Sequence, residues 1–343
     1  MKILVTGGTG YIGSHTVVEL QQEGHEVIII DNLSNSSADI VDQIAKITGV
    51  KPVLEVFDLT DKQKTLTFLK KHNDLSGVIH FAASKAVGES VEKPLMYYNN
   101  NLGSLLNVLE GMTENGIQNF VFSSSCTVYG QPDVLPVSED APIKPAESPY
   151  GNTKQIAEEI LVDTVKVTEL KTISLRYFNP IGAHDSSEIG ELPQGIPNNL
   201  VPYITQTANG IRDYLRVWGE DYNTPDGTAI RDYIHVVDLA KAHVIAINRM
   251  VENKMKKDFE VFNLGTGTGY SVLDVIKAFN KVSGIEIKYK ILDRREGDIE
   301  QVWADPAFSN RELGWKAERG IDEMMDTAWK WEQAYRTRLK DKG

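Results

Sequence analysis

Tyr150 and Lys154 stand four residues apart in the stretch SPYGNTKQIAEEI. That spacing puts two side chains on one face of a helix. Pro149 suits the first helical position and Ser148 the cap before it. A phenol has a reference pKa of about 10, and a neighbouring ammonium lowers it. The pair therefore reads as a general base prepared to take a proton from an alcohol. Tyr-x-x-x-Lys is common on solvated helices, so its weight rests on what precedes it. The segment FSSSCTVYG, Phe122 to Gly130, begins as a buried strand and breaks into Ser123, Ser124 and Ser125. A hydroxyl there would face the carboxyl end of the sheet, where ligands bind in such folds. A serine run also reads as a turn, and two of the three are taken as that.

The other chemical feature lies at the start. Residues 7–13 read GGTGYIG, and Gly7, Gly10 and Gly13 join an apolar strand to a helix opening at Ile12. Glycines there allow a tight turn and close approach of backbone to a pyrophosphate, and the helix N-terminus supplies free N–H groups and partial positive charge. Asp31 follows at close to the roughly 20-residue offset expected of a carboxylate that holds the ribose hydroxyls. It would repel a 2′-phosphate, which favours NAD over NADP. Asp58 ends the third strand similarly, and reads equally as a turn residue or an adenine contact. A later glycine run, Gly265, Gly267 and Gly269, reads as a tight turn, not a second nucleotide site.

These residues need a particular scaffold. Ile3–Val5, Val27–Ile30, Val53–Phe57, Val78–Phe81 and Phe120–Phe122 are short runs rich in Val, Ile and Phe, as in buried parallel strands. Helical stretches lie between them, Ile12–Glu23 ending at Gly24 and Glu89–Thr113 followed by Asn115 and Gly116. The alternation predicts an α/β fold with a doubly wound parallel (Rossmann) sheet. After Asn179 the chain is rich in Pro, Gly, Asn and Asp. This predicts a nucleotide-binding domain over residues 1–179 and a smaller mixed α/β substrate lobe over 180–343, with part of 230–265 returning to the large domain.

Composition narrows the partners. With 36 Lys and Arg against 48 Asp and Glu, the net charge is −12, which argues against nucleic acid and anionic membranes. An anionic substrate must be held by a few local arginines. The single cysteine, Cys126, allows no internal disulfide and suits a reducing compartment. No apolar stretch approaches a membrane span and no leader is evident, so a cytoplasmic protein is expected. Nothing in the sequence requires a metal.

Taken in order, GGTGYIGSH, DNLSNS, HFAASKAVGES, FSSSCTVYG, SPYGNTK, RYFNPIGAH, PQGIPNNL, RDYIHVVDLA and RREGD resemble the extended short-chain dehydrogenase/reductase family, and within it the UDP-hexose 4-epimerases, over essentially the whole chain. The resemblance implies that Tyr150 is the base, that Lys154 tunes it and binds the nicotinamide ribose, and that Ser125 bonds the substrate O4. It implies that Tyr11, Ile12, Asp31, Asn32, Asp58, Leu59, Phe81, Lys85 and Asn100 hold NAD, with Phe178 against the nicotinamide end. Asn179, Asn199, Leu200, Arg231, Arg295 and Asp298 would hold a UDP-sugar, and Arg216 to Trp218 would line the uracil site. Arg231 and Arg295 are chemically suited to pyrophosphate, since guanidinium forks match its oxygens. The resemblance further implies a homodimer through Glu89–Thr113 and Tyr150–Val167.

Three positions depart from the family pattern. Ser84 stands where an apolar residue is usual, Cys126 replaces a small residue, and Val302 stands where hexose-restricted members carry Tyr. The last bears on whether N-acetylhexosamines are accepted. Two rivals are a sugar-nucleotide 4,6-dehydratase and a non-catalytic NAD-sensing protein. A dehydratase needs an Asp-Glu pair after the Ser/Thr, where this chain has Cys126 and Thr127. NAD sensors usually lack the Tyr and Lys.

Overall fold

The computed structural model describes residues 1–295 and 298–341. In the first half, strands β1 (Lys2–Thr6), β2 (Glu26–Asp31), β3 (Val53–Val56), β4 (Gly77–His80), β5 (Asn119–Ser123) and β6 (Lys171–Tyr177) alternate with helices α1 (Tyr11–Gln22), α2 (Ile40–Thr48), α3 (Lys62–Lys71), α4 (Val87–Glu92), α5 (Pro94–Glu114) and α6 (Pro149–Val165). The rest comprises β7 (Asn179–Ile181), α7 (Leu200–Ala208), β8 (Leu215–Trp218), β9 (Ile230–His235), α8 (Val236–Val251), β10 (Phe259–Leu264), β11 (Gly269–Ser271), α9 (Val272–Ser283), β12 (Tyr289–Leu292), β13 (Gln301–Val302) and α10 (Ile321–Asp341).

Seven strands form one parallel sheet in the order β10-β6-β5-β4-β1-β2-β3. Alternation along β1 shows why both faces are covered. Ile3 and Val5 join a core with Val17 and Val18 of α1 and Ile247 of α8. Leu4 points the other way, into a core with Phe68 of α3, Leu105 and Val108 of α5 and Leu161 of α6. The sheet is thus doubly wound, and its last strand, β10, comes from the second half. A smaller lobe packs α7, β8, α9 and α10 around Ile204, Val217, Phe279 and Met325.

Two expectations need correction. The helix expected over Glu89–Thr113 is broken at Lys93 (φ −129°, ψ 54°) into α4 and α5. Pro94 has no N–H to give and its ring disfavours helical geometry in the residue before it. The third strand is not buried: β3 is the sheet edge, with Val53 52% and Val56 56% exposed. No described helix is long and apolar enough to cross a membrane.

Candidate active site

The glycine turn sits between the end of β1 and the start of α1. Gly7 has φ +69°, and a Cβ there would stand 2.9 Å from the Ala82 nitrogen. A Cβ on Gly13 would meet the Gly7 carbonyl at 2.2 Å, so the helix can approach the strand only through glycine. Gly10 caps α1 without a side-chain hydrogen bond, leaving the first-turn N–H groups of Tyr11, Ile12 and Gly13 without intrahelical acceptors. At the end of β2 the buried Asp31 carboxylate accepts the Thr9 N–H (3.2 Å), the Leu33 N–H (2.9 Å) and the Ser36 hydroxyl (3.2 Å). A carboxylate beside an open helix N-terminus fits an NAD ribose and pyrophosphate.

The remaining cofactor candidates gather along the same edge. The Asn32 amide donates to Asp58 at 3.1 Å, and Asp58 also accepts the Thr60 N–H and hydroxyl. These bonds hold its pKa below the usual carboxylate range despite partial burial. Leu59 beside it is buried. The Phe81 N–H binds the Thr6 carbonyl, and its ring lies 4.6 Å from that of His243. Asn100 donates to Ser84 (3.3 Å) and to Asn101 (3.0 Å). Lys85 lies 3.5 Å from Glu191, and Asn199 donates to the same carboxylate oxygen at 2.5 Å. Glu191, which the sequence reading missed, thus joins a candidate cofactor residue to a candidate substrate residue.

The candidate proton-transfer pair is at the start of α6. The Ser148 hydroxyl caps the helix by accepting the Gly151 N–H at 3.2 Å, which places Tyr150 in the first turn and Lys154 one turn later. Tyr150 is 8% and Lys154 5% exposed. The Lys154 ammonium donates to the Ser123 carbonyl at 2.6 Å and stands 4.7 Å from the Phe122 ring centroid and 5.9 Å from that of Tyr150. Burial pulls its pKa down to about 8, against the pull of Glu158. The Tyr150 phenol was expected to be lowered by Lys154. Instead burial raises it well above its ordinary value, Tyr177 adds to the rise, and a hydrogen bond with Ser125 opposes it. Desolvation dominates, and the Lys154 ammonium gives its hydrogen bond to the Ser123 carbonyl, not to the phenol.

The three serines have distinct partners. Ser123 bonds the Tyr177 hydroxyl at 2.6 Å, Ser124 donates to Glu158 at 2.5 Å, and Ser125 accepts the Thr127 N–H at 3.2 Å. All three are buried, so Ser123 and Ser124 are anchored groups and not merely turn residues. The thiol of the adjoining Cys126 is pushed up to about 12 by burial.

Across from this edge lies the smaller lobe. Phe178 and Val302 are each 3% exposed and share a cluster with Val128, Tyr129, Val137 and Ala304. Asn179 pairs with Tyr233 between β7 and β9, and Val302 pairs with Arg231 between β13 and β9. Arg231 donates to the Ile230 carbonyl at 2.9 Å. Arg295 and Asp298 pair with each other at 2.8 Å. Leu200 begins α7 directly after Asn199. Arg216 and Trp218 sit on β8, Arg216 exposed and Trp218 half-buried.

The Gly265–Gly269 turn wraps the buried Asp232 carboxylate. That carboxylate accepts from Thr266, the Gly267 N–H (3.0 Å) and the Ala304 N–H (3.1 Å), and a Cβ on Gly265 would stand 2.4 Å from it.

The sequence profile of the NAD dependent epimerase/dehydratase family matches residues 3–265. The UDP-glucose 4-epimerase of Bacillus subtilis (strain 168) is 51% identical over 335 residues, 97% of each chain. Two solved UDP-glucose 4-epimerases superpose with TM-scores of 0.94 at 46% identity, each over 98% of this chain and 99% of the other. One, from Stenotrophomonas maltophila, has bound NAD and formylated UDP-arabinopyranose, and the other, from Bifidobacterium longum, is in complex with NAD+ and UDP.

The chain belongs to the NAD dependent epimerase/dehydratase family.

For a member of that family, the residues missing from the sequence reading are those that hold the site from behind. Asn101 binds the Ser84 backbone and donates to Thr153 at 3.1 Å, and Thr153 donates to the Tyr150 carbonyl at 2.7 Å. Glu158 and Arg176 form a buried ion pair at 2.5 Å. A usable signal was present: Glu158 stands one further turn along the face that carries Tyr150 and Lys154, where a buried residue would ordinarily be apolar.

Proposed function

We propose that this chain is a UDP-glucose 4-epimerase that interconverts UDP-galactose and UDP-glucose using bound NAD. The observation that carries the reading is the convergence of Tyr150, Lys154 and Ser125 in one buried site at the carboxyl edge of a sheet whose first turn fits NAD. Close relatives with this activity and full-length coverage support it.

Ser125 hydrogen-bonds O4 of the hexose, and Tyr150 takes the O4 proton. NAD, when bound, supplies the acceptor and donor of the C4 hydride. The low-dielectric surroundings that raise the phenol also make a nearby positive charge count for more. Lys154 is the protein's own charge at that place. The 4-keto sugar turns within the pocket and presents its other face; the hydride taken from C4 returns to C4 from that side while Tyr150 gives its proton back to O4, which inverts C4. Asn179, Asn199, Leu200, Arg231, Arg295 and Asp298 hold the UDP-sugar, and Arg216 to Trp218 line the uracil. Cys126 and Thr127 offer no acid–base pair for dehydration. Because the hydride returns, NAD copurifies and no added cofactor is consumed. Incubation of dialysed protein with UDP-galactose, followed by product separation, tests the reading; a requirement for stoichiometric, consumable NAD would sink it.

The protein acts in the cytoplasm as a homodimer. The dimer face is carried by α4 and α5, where Val91, Leu95 and Leu106 are 58%, 82% and 48% exposed, together with α6. Light scattering at the single-chain mass would rule that out.

A further inference from the structure

Behind the site lies a polar network that the chemistry above does not use. Glu158 and Arg176 are each 7% exposed. The Arg176 fork donates Nε to Oε1 at 3.0 Å and Nη2 to Oε2 at 2.5 Å. Oε1 also accepts the Ser124 hydroxyl at 2.5 Å. The remaining guanidinium nitrogen, Nη1, donates to the Tyr129 hydroxyl at 2.9 Å, and that hydroxyl donates to Asn263 on β10 at 2.7 Å.

These bonds bracket one turn of chain. Ser124 immediately precedes Ser125, and Tyr129 ends the 3₁₀ turn Cys126–Tyr129 that Ser125 caps. One end of the turn is therefore latched by the carboxylate and the other by the guanidinium. Glu158 also lies one turn beyond Lys154 on α6, while Lys154 itself grips the Ser123 carbonyl. A buried ion pair is weak as a source of stability, since apolar residues of similar volume often do as well. What an apolar pair cannot do is accept the Ser124 hydroxyl and donate to Tyr129.

Resting on the epimerase reading, we infer that Glu158 and Arg176 are positioning residues, which fix the Ser125 hydroxyl relative to Tyr150 and Lys154 by clamping both ends of the 124–129 turn. Neither touches substrate or cofactor. Their effect should fall on kcat and largely spare the binding of UDP-sugar, because the residues taken to hold its nucleotide stand on β7, β8, β9 and α7 and at Arg295 and Asp298, outside the 124–129 turn.

The test is a double-variant cycle in the intact enzyme. Ser124→Ala cuts the link but leaves the ion pair. It should keep the parental melting temperature and NAD content, keep KM for UDP-galactose within about twofold, and lower kcat about 10- to 100-fold, the size of a small misplacement. Ser124→Ala with Glu158→Gln should be no slower than Glu158→Gln alone, because both act along one path. If Glu158→Gln does not fold, Glu158→Asp, which keeps the charge but shortens the reach to Ser124, replaces it in the cycle. Parental kcat for Ser124→Ala, or losses that multiply in the double variant, would overturn the inference. A parental enzyme that does not interconvert the two sugars would instead overturn the epimerase reading.

Discussion

The Lys154 ammonium stands 5.9 Å from the Tyr150 ring centroid but gives its hydrogen bond to the Ser123 carbonyl. Burial lowers its pKa to about 8 from the ordinary 10.5, so the charge is present below that pH and lost above it. His80 on β4 and Glu158 and Tyr150 on α6 are the titratable groups around it, and Arg176 supplies a fixed charge behind Glu158. We expect kcat to fall on the alkaline side with a midpoint near pH 8. In Lys154→Arg the residual activity should lose that limb, because a guanidinium stays protonated. A kcat–pH profile flat to pH 10 in the parent would refute the assignment. From the same lysine alone, folding stability should rise with pH between 8 and 10.5, where the unfolded chain still binds the proton.

Tyr150→Phe removes the proton acceptor and keeps the ring in its buried place. Loss of a general base typically costs about 100- to 10,000-fold in rate. The variant should retain the parental fold and bind UDP-sugar, as measured by circular dichroism and calorimetry. Near-normal turnover would exclude Tyr150 as the base.

Asp31→Ala should weaken NAD retention and improve NADP relative to NAD, because the ribose contact and the repulsion of a 2′-phosphate are lost together. Asp31 also ties the Thr9 and Leu33 N–H groups, so a modest fall in melting temperature should accompany the change. The measurement is activity after reconstitution with each dinucleotide. An unchanged NAD/NADP preference would leave Asp31 as a strand-end residue only.

Val302 is the position we take to set the range of sugars. It is buried in a cluster with Phe178, Val128 and Ala304 and lacks the ring and hydroxyl of a tyrosine. We expect turnover of UDP-N-acetylglucosamine and UDP-N-acetylgalactosamine as well as the plain hexoses. Overpacking a closed site costs about 1–3 kcal/mol, and roughly 1.4 kcal/mol is tenfold in rate. Val302→Tyr should therefore depress the N-acetylated substrates far more than UDP-galactose. Equal loss of both, or a parent that ignores the N-acetylated sugars, would contradict this.

Elements with strong local signals were legible in the sequence. The glycine turn, the cap at Ser148 and the buried strands each leave a local mark in residue type and spacing, although the turn and the strands meet partners far along the chain. Pro94 could have shown the break in the long helix, since the rule it follows is local too. Other features depend on distant partners. That β3 would be the exposed edge depended on no strand pairing beyond it. The anchoring of Ser124 depended on Glu158, 34 positions away, and that of Tyr129 on Asn263, 134 away. The raised phenol of Tyr150 depended on the depth of its burial, which no motif encodes.

The place of β10 has a consequence for how the protein is made. The sheet's outer strand beside β6 is residues 259–264, and α8 (236–251) packs against α1 and the sheet face. The dinucleotide half thus cannot finish folding while the ribosome has delivered only residues 1–179. Until some 85 further residues emerge (264 − 179), β6 remains an open edge and apolar residues such as Val17 and Ile79 lack their cover. Closing so long a loop slows folding and prolongs exposure to aggregation. Truncation at the apparent lobe boundary should therefore yield insoluble protein, and the nascent chain should depend on chaperones until β10 pairs.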